Sequence, residues 1–156
     1  MLASFIGFLH ENNLIDFESV IDDTDGGFET RFRIQKLVYL SSHFGLNHGY
    51  HYNIYRYGPY SRSLADDYYT IGENPQDFEA EFNEPLPANF DYESFLRAVN
   101  DKDNNWLEIA TTLLDQKPRF ANDGDLINHV EIIKCDYSHE YIGTVLRDLQ
   151  RINLAS

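Results

Sequence analysis

His43, His48 and His51 are the densest set of metal-capable side chains in the sequence, spaced five and three residues apart. A transition-metal centre needs three or four ligands in fixed geometry, and the single cysteine, Cys135, stands far away along the chain. The three histidines are therefore read as surface or partly buried side chains. Two stretches approach the spacing of a calcium loop. Asp23 and Asp25 fit its third and fifth positions, but Ile21 and Phe32 occupy the first and twelfth, where oxygen ligands belong. From Asp101, "DKDNN" holds three ligand types in register and then places Trp106 where the loop requires glycine. No metal site is read from either stretch.

Nucleophile arrangements fare no better. Ser41 and Ser42 adjoin His43, but neighbours along a helix do not face each other, and no G-x-S-x-G elbow is present. Asp136 follows Cys135 and would oppose a thiolate, so the cysteine is read as a small buried hydrophobe. Asp66 and Asp67, close in sequence to Arg56 and Tyr57, could form an acid/base pocket; capping of the helix they sit in is the simpler account. Neither a P-loop nor a dinucleotide fingerprint occurs, and no cofactor is expected.

The elements that would position these residues are mostly helical. Apolar spacing predicts helices over Leu2–Asn12, from Thr30 to a stop at Gly45, from Ser61 or Ser63 through Ile71, and then over Tyr92–Val99, Asn104–Asp115, Asp125–Lys134 and Ser138–Asn153. The last should bury Ile142, Val145, Leu146, Leu149 and Ile152, with Ser138 as its cap. Asp16–Val20 reads as a short turn of helix. Adjacent glycines and three aspartates make Asp22–Glu29 a loop, and Asn74–Asn89 reads as irregular. From His48 to Tyr57 β-branched and aromatic residues alternate in part, predicting one or two short strands that end at Gly58-Pro59. The expected fold is mainly α, a compact single-domain helical bundle over residues 1–156 with a small β-hairpin or short strands around 48–57. Length and a 42% hydrophobic composition agree with one globular domain.

Charge divides the chain unevenly. It carries 26 acidic residues against 12 basic ones, a formal charge of −14. Such an excess suits solubility, and an acid-rich, lysine-poor surface would also suit a cytoplasm of molar salt, as in a halophile; mimicry of DNA is a further reading. Yet Thr30 to Ala65 contains no Asp or Glu, while it holds Arg31, Arg33, Lys36, Arg56 and Arg62. Within it "HYNIYRYGPYSRS" (His51–Ser63) packs four tyrosines into nine residues. Either these arginines pair with acids elsewhere, or the segment forms a basic, aromatic face. Arginine suits such a face because its planar fork grips carboxylates and stacks on rings, and tyrosine adds contact area at low entropic cost.

The order of these features resembles a known group. "RIQKLVY" (Arg33–Tyr39), then "SSHFGL", then "YRYGPYS" is similar to the YwgA-like uncharacterised proteins, which look related to the Panacea antitoxin domains. The matching positions are Lys36, Leu37, Tyr39, Phe44, Gly45, Tyr57, Gly58, Pro59 and Leu64. Panacea-type domains usually continue after Gly-Pro with Val or a second Pro; "YS" here departs from that and favours the YwgA-like branch. The resemblance implies a compact helical domain acting by protein–protein contact, in Panacea members by neutralising a toxin encoded nearby.

The expected function is a non-enzymatic regulatory or antitoxin-like interaction domain. Its partner-binding residues are Arg33, Lys36, Tyr39, Tyr55, Arg56, Tyr57, Gly58, Pro59, Tyr60 and Arg62. The partner is an unidentified protein, a nearby-encoded toxin on the resemblance, and a homodimer is a second arrangement. An alternative is a nucleic-acid-associated regulator with a degenerate helix-turn-helix at 125–153, although that region carries five acids and three bases. A weaker alternative is an enzyme of unrecognised class built on Arg56, Tyr57 and Asp66. One cysteine and no export or membrane segment place the protein in the cytoplasm, with no membrane partner.

Overall fold

The computed structural model describes residues 1–155. Among them are eight α-helices and one two-stranded antiparallel hairpin: α1 (Leu2–Glu11), α2 (Asp25–Ser41), β1 (Asn53–Tyr55), β2 (Gly58–Tyr60), α3 (Arg62–Glu73), α4 (Glu79–Phe82), α5 (Tyr92–Val99), α6 (Asn104–Gln116), α7 (Asp123–Ile133) and α8 (His139–Arg151). The mainly helical fold with a small hairpin, expected from the sequence, is what forms. None of the helices is long and apolar enough to cross a membrane.

The core is organised around α6. Every residue from Trp106 to Leu114 is buried, so this helix is covered on all sides, as its apolar run requires. The Asp103 carboxylate starts it by accepting from the Trp106 amide at 2.8 Å. Helices α2, α7 and α8 and strand β2 pack against α6, while α1 lies on α3 and α4. Phe95 of α5 sits in a cluster of rings with Phe5, Phe44 and Phe90, at centroid distances of 5.4–5.7 Å. Helix α8 buries Ile142, Val145, Leu146 and Leu149 as expected, whereas Ile152 lies past the helix end and is exposed.

Local expectations are corrected at three places. The first is Asn74–Asn89, expected to be irregular, which contains the single turn of α4 (Glu79–Phe82). The segment Asp22–Glu29 is not wholly a loop, because α2 begins at Asp25, five residues ahead of Thr30. The Thr24 hydroxyl caps it by accepting from the Gly27 amide at 3.1 Å. The second glycine is there for close approach: a Cβ on Gly27 would lie 2.1 Å from the Asp22 carbonyl oxygen. Arg31 then closes the junction, its Nη1 donating to the carbonyls of Val20 and Asp22 at 2.8 Å each. Of the strands, β1 lies within 48–57 as expected, while β2 follows it. Gly58-Pro59 does not end the extended run but opens β2, and the turn is Arg56-Tyr57.

Candidate interaction surface

Gly58 is held at φ +94°, a left-handed conformation that glycine adopts without strain. A Cβ there would meet the Thr112 hydroxyl at 3.0 Å and the Glu108 carbonyl at 3.4 Å, so the hairpin backbone lies directly on α6. The register pairs Asn53 with Tyr60, Ile54 with Pro59 and Tyr55 with Gly58. Proline has no N–H to give, so Ile54·Pro59 is the non-hydrogen-bonded pair and the Pro59 carbonyl points away from β1.

That outward carbonyl is met by a lysine. Lys36, on α2, is 2% exposed and its Nζ donates to the Pro59 oxygen at 2.7 Å. A second buried lysine, Lys134, just beyond α7, donates to the Arg56 carbonyl at 2.6 Å and pairs with Glu108 of α6 at 3.0 Å. The Tyr137 hydroxyl donates to the other Glu108 oxygen at 3.1 Å. Gln35 completes the support: its amide donates to the Ser61 carbonyl and accepts from the Ser61 amide, both at 2.8 Å. Ser61 in turn caps α3 through the Leu64 amide. Burial first, and then the charge of Lys134, lower the Lys36 pKa to about 7 against the opposing pull of Glu108. Two cations with one carboxylate between them thus hold a hairpin by its backbone, leaving the hairpin's side chains free.

Those side chains face outward. Ile54, Tyr55, Arg56 and Tyr57 are all exposed, Tyr55 by 54%. On one side the hairpin borders a 220 Å³ pocket walled by Phe28, Phe32, Tyr57, Tyr60, Tyr68 and Tyr69. Phe28 and Tyr57 meet edge to face at 5.5 Å, and the Arg31 guanidinium stacks 5.6 Å above Tyr69. On the other side lies a 550 Å³ cleft between the hairpin, α6 and the chain linking α7 to α8. Its rim carries the exposed Ile133; the adjacent Ile132 is 77% exposed.

The ten residues singled out from the sequence do not share one face. Tyr55, Arg56 and Tyr57 line the cleft, and Tyr57 and Tyr60 line the aromatic pocket. Arg62 is exposed in the first turn of α3. Gly58 and Pro59, which open β2, are buried, with Gly58 lying against α6. Lys36 faces inward onto Pro59. Arg33 is half-buried, its Nε donating to the Leu14 carbonyl at 2.6 Å and its Nη1 to the Asn104 side chain at 2.8 Å. Burial lowers its pKa, with Glu29 and Asp103 opposing. Tyr39 is half-buried elsewhere, edge to face with Tyr52 at 5.0 Å, and burial raises its pKa. Arg31, Arg33 and Lys36 therefore donate to neighbouring carbonyls and side chains, whereas Arg56 and Arg62 are exposed and make no ion pair among the described residues, the Arg56 guanidinium lying 5.4 Å over the Tyr57 ring.

Sequence reasoning missed Glu108, Lys134 and Tyr137, which carry no local signal, and Phe28, which lay in the supposed loop. Cys135, expected to be buried, is exposed on the cleft. Asp67 joins no pocket with Arg56; its carboxylate accepts from the Tyr50 hydroxyl at 2.5 Å. Asp66 lines neither the cleft nor the aromatic pocket. Comparison with known protein families, curated proteins and solved structures finds no match to this chain.

Proposed function

We propose that this protein is a non-enzymatic interaction domain of the regulatory or antitoxin-like kind, and that the hairpin and its apolar flanks are what it presents to a protein partner. The observation that carries this reading is the contrast between the hairpin's backbone, held by buried donors, and its uncovered side chains. Phe28, Ile54, Tyr55, Tyr57, Tyr69 and Ile133 are exposed together around one short element. Tyrosine and arginine dominate binding hot spots, and a pre-ordered element loses little entropy on docking. Arg56 and Arg62 make no ion pair among the described residues, although the chain is rich in carboxylates. A partner surface of apolar side chains ringed by carboxylates fits that chemistry.

A nucleic-acid role has less support. On α8 the exposed Arg151 pairs with Asp148 at 3.2 Å, and Arg147 shares its face with Glu140. The test is capture of the tagged chain from its native host and identification of the co-eluting protein. Arg56→Ala and Tyr57→Ala should each lose that protein while keeping the parent's far-UV circular dichroism. Undiminished capture by both variants would refute the proposal. Self-association abolished by the same substitutions would identify the partner as a second copy.

A further inference from the structure

The aromatic pocket beside the hairpin has a feature that a general docking surface does not need. Its lining contains no carboxylate, and its two charged members, Arg31 and Lys36, are both cations. An ammonium has three N–H donors. One of those on Lys36 is taken by the Pro59 carbonyl, and among the described residues no carboxylate lies within ion-pair distance of it. The Nζ also stands 5.1 Å from the centroid of Phe32, one of the pocket walls. Arg31 offers carbonyls only its Nη1, so among the described residues its Nε and Nη2 make no hydrogen bond. A cation that is 2% exposed with unmet donors is costly, and an anion that reached it would be bound in a setting of low polarity where charge pairing is strong.

We propose that this pocket binds a small aromatic carboxylate, its ring lodged among Phe28, Phe32, Tyr57 and Tyr69 and its carboxylate received by Lys36, with Arg31 assisting at the rim. The volume of 220 Å³ is below that of drug-sized sites and suits a single ring with a short acidic arm. Six of the nine lining residues come from the acid-free stretch 30–65, which lessens the repulsion that a chain of charge −14 exerts on such an anion. The site shares Phe28, Tyr57 and Tyr69 with the docking surface, but it does not rest on that reading, since its test takes a free small molecule and needs no partner protein.

Phenylacetate and its neutral isostere phenylacetamide are the probes, titrated into the full chain at about pH 6, where Lys36 holds its proton, and followed by calorimetry and by amide chemical shifts. Saturable binding of phenylacetate is expected, with shifts confined to residues 28–36, 57–60 and 68–69. Phenylacetamide should bind weaker by roughly tenfold or more, the equivalent of one charge-assisted hydrogen bond. Lys36→Met should remove most of the preference for the acid, and Arg31→Met, which leaves Lys36 in place, should remove the smaller remaining part. Absence of saturable phenylacetate binding would overturn the proposal. So would equal affinity for the amide, which would make the pocket an apolar socket for a partner side chain. The two probes decide the matter on the parent chain even if Lys36→Met fails to fold.

Discussion

Replacing Lys36 by methionine removes a buried ammonium while keeping the length of its apolar stem. In the folded chain burial lowers the Lys36 pKa to about 7, against an ordinary value of 10.5. Between those two values the unfolded chain holds a proton that the folded chain has released, so this group makes stability rise with pH. Below pH ~7 both states are protonated and the full cost of burying the charge is felt. Each pKa step is about 1.4 kcal/mol, so from about pH 6 to about pH 9 the parent gains roughly 3 kcal/mol from Lys36 alone. The methionine variant lacks that gain. It also leaves the Pro59 carbonyl without its donor, at about 1–3 kcal/mol, a loss independent of pH. The variant should therefore be the more stable protein at about pH 6, and its advantage should disappear by about pH 9. Urea unfolding followed by far-UV circular dichroism, run on both chains at both pH values, measures the difference directly. A parent–variant difference that stays constant within about 0.5 kcal/mol would show that Lys36 keeps its proton throughout, and would refute the reasoning.

Two further substitutions probe the hairpin support. Gly58→Ala places a Cβ against Thr112 in a left-handed conformation and should cost about 1–3 kcal/mol, seen as a lower Tm in calorimetry; an unchanged Tm would mean the hairpin does not rest on α6. Gln35→Ala orphans the buried amide and carbonyl of Ser61 together and should cost about 2–4 kcal/mol by urea unfolding, whereas a loss under about 1 kcal/mol would show that solvent replaces the clamp.

The helices were legible because their information is local. Tyr92–Val99 is the observed α5, and Ser138, with Ser61 of the two serines weighed for α3, caps an amide three residues ahead. Expectation failed where a contact distant along the chain decides. The Gly26-Gly27 pair looks like a loop until the Asp22 carbonyl and the Arg31 guanidinium are brought against it. Gly58-Pro59 looks like a stop until β2 is seen to need proline only at a position that donates no ladder bond. Arg33 and Lys36 look like surface bases because nothing nearby neutralises them. Their acceptors, Asn104 and Pro59, lie 71 and 23 residues away. The exposed aromatics were visible as a composition bias, but their gathering around a held hairpin was not.

Pro59 also determines how the sheet could grow. A free strand edge is a template that any extended chain can extend. On the β2 side that template is closed, since Pro59 has no amide to offer and its carbonyl is already taken by Lys36. On the β1 side Ile54, the partner of Pro59 in a non-bonded pair, turns both its amide and its carbonyl outward on a fully exposed strand. Any strand that joins this sheet, from a partner or from an aggregating copy, must therefore align along Asn53–Tyr55, and with three residues there it can form only a short ladder.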